Sequence, residues 1–192
     1  MGGGSFNVSQ QVQLWGFEPN TQDTVGWELQ AVGPTVTFPL DNMMVGPSAA
    51  VSSGGPFYLG GHRDYNSSDT SDSSVDEIGI DKIVSYNFAN QSWNNESLPQ
   101  SLPTKFYLNE QGQYVPNFGQ QGVNLFFGGY WPSDGQAGGT DADDIGPLNS
   151  IVVYDIQSNQ FFTQLASNAP TGRICFCSVG VGNDSASSTY EM

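Results

Sequence analysis

Phe57-Tyr58-Leu59-Gly60-Gly61 and Leu125-Phe126-Phe127-Gly128-Gly129 are apolar runs that each end on a double glycine, and they lie 68 residues apart. The same offset of 68 relates Ile83-Val84-Ser85-Tyr86-Asn87 to Ile151-Val152-Val153-Tyr154-Asp155, and Trp93 to Phe161. Three landmarks holding one spacing without a gap define an internal repeat, and a repeat of this kind stacks one supersecondary unit on the next.

Pattern and punctuation divide each unit into four short strands. In the second unit these are 114–120, 123–127, 150–155 and 160–165, with Gln157-Ser158-Asn159 as polar turn residues. The stretch 123–127 is almost wholly apolar, which predicts burial on both faces. In the first unit the expected strands are 47–51, 56–59, 82–88 and 92–96. The glycine pairs permit turns and close backbone approaches that other residues resist. Four short antiparallel strands, repeated, predict an all-β chain built of β-propeller blades.

The composition agrees. Gly 24 and Pro 11 leave little sequence suited to helix interiors, and 12% aromatic residues supply core-forming surface that a disordered chain would lack. Nineteen acidic residues against four basic ones give a formal net charge of −15. That balance excludes phosphate-neutralising nucleic-acid binding and attachment to anionic lipid through basic residues. No run of 18 apolar residues occurs, so no membrane-spanning segment is expected. The start, Met1-Gly2-Gly3-Gly4-Ser5, leads into no apolar core of a signal peptide. Five Asn-x-Ser sequons, at Asn7, Asn66, Asn90, Asn95 and Asn183, nevertheless point to an extracellular or cell-surface protein.

A double glycine, then a tyrosine, then six residues, then a tryptophan is the pattern of the kelch motif. Gly60, Gly61, Tyr86 and Trp93 fit it, and so do Gly128, Gly129, Tyr154 and Phe161, with Phe161 where the family prefers Trp. The chain resembles kelch-repeat proteins of fungal surfaces in the galactose oxidase-like propeller superfamily. The resemblance implies four segments. Residues 1–46 would hold the end of a preceding blade, with strands over 12–17 and 26–29. Kelch-type blades would cover 47–99 and 100–169. Residues 170–192 would begin a further, truncated blade with a strand over 174–181. It also implies a fragment of a ring that two blades cannot close. Family units run to about 50 residues, whereas these repeat at 68. The surplus lies in 62–81 and 130–149, where nothing carries over residue by residue.

Those two insertions are the candidate binding face. The first carries Asp64, Asp69, Asp72, Asp76, Glu77 and Asp81, the second Asp134, Asp141, Asp143 and Asp144. Holding the same position in successive blades, they should leave the same end of the scaffold, and loops on rigid scaffolds commonly carry function. Three readings stay open for the carboxylates: a solvated surface, a calcium site for which Asp141-Ala142-Asp143-Asp144 is a fragment of a pattern, and an acidic surface for a protein or carbohydrate partner. Tyr130 and Trp131, directly after Gly129, either stack on a sugar or partner or cover the end of the blade.

Catalytic chemistry finds few parts. Galactose oxidase-like enzymes hold copper with histidines and tyrosines, and His62 is the one histidine, expected to be a polar loop residue. No Gly-x-Ser-x-Gly elbow or Gly-Lys-Ser/Thr loop occurs. No catalytic residue, metal or cofactor is therefore assigned. The reading is a non-catalytic binding or scaffold propeller. Its alternative is part of a carbohydrate-oxidase-like enzyme whose active residues lie on blades outside this chain. Cys175 and Cys177, on one face of an expected strand roughly 6–7 Å apart, are ill placed for a mutual disulfide. Buried or half-buried thiols, or pairing outside the chain, are expected.

Overall fold

The computed structural model describes residues 14–16, 28–30, 44, 46–63, 78–102, 110–132, 144–182 and 190–191. Its elements are strands: β1 Leu14–Gly16, β2 Glu28–Gln30, β3 Ser48–Ser52, β4 Gly55–Leu59, β5 His62–Arg63, β6 Ile78–Gly79, β7 Lys82–Asn87, β8 Ser92–Ser97, β9 Gln111–Val115, β10 Val123–Phe127, β11 Ser150–Asp155, β12 Gln160–Leu165, β13 Val181–Gly182 and β14 Tyr190–Glu191. Among the described residues there is no α-helix, and none long and apolar enough to cross a membrane.

Two four-stranded antiparallel sheets dominate, ordered β3-β4-β7-β8 and β9-β10-β11-β12. Each is an up-and-down meander, blade-like in form, and the two do not close a ring. The 68-residue repeat holds in three dimensions. Tyr86 faces Trp93 with ring centroids 4.9 Å apart, and Tyr154 faces Phe161 at 4.8 Å. The turn between the last two strands repeats as well. Asn87 Oδ1 accepts from Ala89 N and Asn90 N, while Asp155 Oδ1 accepts from Gln157 N and Ser158 N. Both turns close on a left-handed residue, Gln91 at φ 55° and Asn159 at φ 54°. The glycine pairs sit in that region too, at 65° and 89° for Gly60 and Gly61 and 69° and 76° for Gly128 and Gly129.

Alternation along the strands sorts side chains to opposite faces. Ala50, Phe57, Leu59 and Ile83 of the first sheet meet Phe126, Val152 and Tyr154 of the second in one core, with Phe161 half-buried against it. Phe57 and Tyr154 are 5.6 Å apart across this joint. Tyr58 and Val84, the repeat equivalents of Phe126 and Val152, lie on the opposite face of the first sheet with Met44, Ile80 and Trp93. Each blade thus has a Tyr–Trp/Phe face and a Leu/Ile face, and the joint packs one against the other. Full burial of a side chain such as Phe126 contributes about 2–3 kcal/mol. The inner strands approach so closely that a Cβ on Gly112 would overlap the backbone carbonyl of Ala49.

Several boundaries differ from expectation. The first strand of the second sheet is β9, which starts three residues before the expected 114–120 and ends five residues before it, because Val115 pairs with Val123 and the chain then turns through Gly119 and Gly122 at positive φ. The expected strand over 174–181 is absent apart from Val181. Cys175 has φ 52°, which breaks an extended run, and Phe176 packs on Phe127 instead of joining a ladder. Val181–Gly182 pairs with Tyr190–Glu191, and Leu14–Gly16 with Glu28–Gln30.

Candidate functional site

The loops following the double glycines rise from stapled bases. In the first blade, His62 pairs with Gly79 and Arg63 with Ile78, while Ile80 N donates to Gly61 O at 2.9 Å. In the second, Tyr130 bridges to Ile145, Gly146 N donates to Gly129 O at 2.9 Å, and Trp131 N donates to Asp144 O at 2.7 Å. Both bases lie at the same end of their sheets. Ser48, opposite Leu59 where β4 leaves its sheet, donates from Oγ to Glu110 Oε2 at 3.1 Å. Trp131, just past the end of β10, donates from Nε1 to the other oxygen of Glu110 at 2.7 Å. One carboxyl group therefore ties the two loop-bearing ends together.

Of the residues expected to form the binding face, Asp81, Tyr130, Trp131 and Asp144 are described, Asp81 being exposed. Asp64, Asp72, Asp76, Asp141 and Asp143 lie outside the described residues. Tyr130 is 7% exposed and its hydroxyl donates to Asp144 Oδ2 at 3.2 Å. Trp131 is half-buried and packs against the inter-blade core. Tyr130 is thus enclosed at the end of its sheet, while Trp131 keeps part of its surface accessible. Among the described residues, no three His, Cys, Asp or Glu side chains gather as a metal would require. His62 lies on β5 rather than in a loop, with its Nδ1 enclosed and unpartnered.

Glu110 is the residue that pattern reading passed over. It is 4% exposed, and burial pushes its carboxyl up to about 8, against the opposing hydrogen bonds from Trp131 and Ser48. Desolvation wins because a carboxylate loses more on leaving water than two neutral donors return. At neutral pH the joint therefore holds a neutral acid. Its flanks, Asn109 and Gln111, are polar and gave no sign of an interior position; only the pairing of β9 reveals it. Asn124, likewise unmarked in the sequence, is fully enclosed on the inter-blade face, and neither end of its amide finds a hydrogen-bond partner. The two cysteines depart in the other direction from the expectation of buried or half-buried thiols. Both thiols are free and exposed, because Phe176 turns inward between them, its ring so near Gly128 that a Cβ there would come within 2.6 Å.

No family model matches the chain, and no curated protein matches it. Among solved structures it is similar to that of YjhT, with a TM-score of 0.49 and 13% identity, covering 81% of this chain and 45% of that one. The chain thus spans less than half the length of that protein.

Proposed function

We propose that the chain is part of a kelch-type β-propeller that works as a binding or scaffold module, extracellular or at the cell surface, without catalysis of its own. Its two acidic insertions, 62–81 and 130–149, would present carboxylates to a protein or carbohydrate partner. The observation that carries this reading is the pair of stapled loop bases at one end of two face-packed blades, joined through Glu110. A rigid joint beneath two loops holds what they display at a fixed separation, which lowers the ordering cost of binding. A net charge of −15 favours approach of cationic surfaces, most strongly at low salt.

The test uses an arginine-rich peptide and a panel of immobilised glycans as probes. Binding of one of them should fall when Asp141 and Asp143 are changed to Asn together, and again with Asp72 and Asp76, while the melting temperature is retained. Binding unchanged by both sets would remove the acidic face from the function. A calcium-dependent rise in melting temperature that Asp141→Asn, Asp143→Asn and Asp144→Asn abolish would reassign the loops to a cation.

A further inference from the structure

Two of the five sequons fall wholly within the described sheets, and they differ in geometry. Asn95 lies in β8, paired with Val84, and its hydroxyl partner Ser97 is paired with Lys82. Asn90 instead stands in the exposed turn between β7 and β8, where Asn90 and Gln91 have no ladder partner. The turn is held by Asn87 Oδ1, which accepts from Ala89 N at 2.8 Å and Asn90 N at 3.3 Å, and by the left-handed Gln91 at φ 55°.

Within this turn Asn90 Oδ1 accepts two hydrogen bonds from the third residue of its own sequon, from Ser92 N at 3.2 Å and Ser92 Oγ at 2.6 Å. A backbone N–H can only donate, so the atom it meets is the amide oxygen, and the planar carboxamide holds its nitrogen on the side away from Ser92. Asn90 lies on an exposed turn, and the sequon hydroxyl is engaged with its amide oxygen, so the acceptor nitrogen takes no part in that contact. From this geometry we infer that Asn90 is an N-glycan acceptor of this protein, in preference to Asn95.

The reaction is a glycosyl transfer from a lipid-pyrophosphate-linked oligosaccharide. Asn90 Nδ2 forms a bond to the anomeric carbon as the bond from that carbon to the pyrophosphate oxygen breaks. The lipid pyrophosphate leaves with the electron pair, and the amide gives up one proton to a base of the transferase. The turn also lies at the far end of the blade from the acidic insertion, since Phe88 N donates to Gly54 O while the double glycine adjoins Lys82. A glycan there leaves the candidate binding face uncovered. The inference rests on the proposed passage through the secretory pathway.

The full chain, placed behind a cleavable signal sequence and secreted from a eukaryotic host, separates the two ideas, because entry to the lumen is then imposed. Glycans are released from the peptides with an amidase in heavy-oxygen water, which marks each formerly occupied Asn as a labelled Asp. Asn90 should carry the mark in most molecules and Asn95 in few. Asn90→Gln should remove one glycan's mass without lowering the melting temperature of the deglycosylated protein. An unmarked Asn90 in secreted chains, whether or not another sequon is marked, overturns the assignment. The secretory reading is checked on its own by locating the protein expressed from its native reading frame.

Discussion

Raising the pH should ionise Glu110 and loosen the joint between the blades. The folded protein holds the Glu110 proton up to about pH 8, whereas the unfolded chain releases it near 4.5. Between those values the folded state binds more protons than the unfolded state, so stability is fully present below about pH 4.5 and declines as pH rises towards 8. The slope is about 1.4 kcal/mol per pH unit, or about 3 kcal/mol between pH 5 and pH 7. For a chain of 192 residues that corresponds to about 6–12 °C in melting temperature. Glu110→Gln removes the titration while its amide can still accept from Trp131 and donate to Ser48. Thermal melts of both proteins from pH 5 to pH 9 isolate this group, since every other carboxylate is common to the pair. The wild-type curve should fall relative to the variant until about pH 8 and run parallel above it. Parallel curves throughout would show that Glu110 is not a buried acid and would refute the account of the joint.

Three further outcomes follow from the packing. Gly112→Ala should cost at least about 2 kcal/mol in urea unfolding, because its Cβ meets the fixed backbone of Ala49. Gly54→Ala, whose Cβ would stand 3.6 Å from the nearest side-chain atom, should stay within about 0.5 kcal/mol; equal costs would contradict the close approach of β3 and β9. Asn124→Leu should stabilise the protein by about 1 kcal/mol or more, since both orphaned amide atoms are replaced by an apolar group of similar size. A lower urea midpoint would mean that the amide is partnered. Both cysteines should react with a disulfide reagent in the native protein as fast as in the unfolded one, and a slow native phase would contradict their exposure.

The repeat, the strand content and the identity of the two large meanders were legible in the sequence because each rests on local information. Alternating or continuous apolar residues, a glycine pair where the backbone needs positive φ, and polar residues in tight turns act over a few positions. The spans 123–127, 150–155 and 160–165 coincide with β10, β11 and β12 for that reason. Where a local pattern was weak, boundaries moved. The 114–120 stretch runs into a turn through Gly119, and the pairing of Val123 with Val115 and of Phe127 with Gln111 set the limits of the strand. The 174–181 stretch has strand-like composition, yet Phe176 gains more by packing on Phe127 than by entering a ladder.

What only the tertiary structure decided is which face of each blade meets the other, and what that contact buries. Two glutamates of equal polarity in the sequence, Glu96 and Glu110, end up half-exposed on an edge strand and enclosed between blades. The burial of Tyr130 and Trp131 and the exposure of Cys175 and Cys177 follow from the same contact geometry. Residue type sets the cost of leaving water, but distant segments decide whether water is present. The pairing of 48 with 110 and 131 joins positions far apart in the chain, and no local period encodes it.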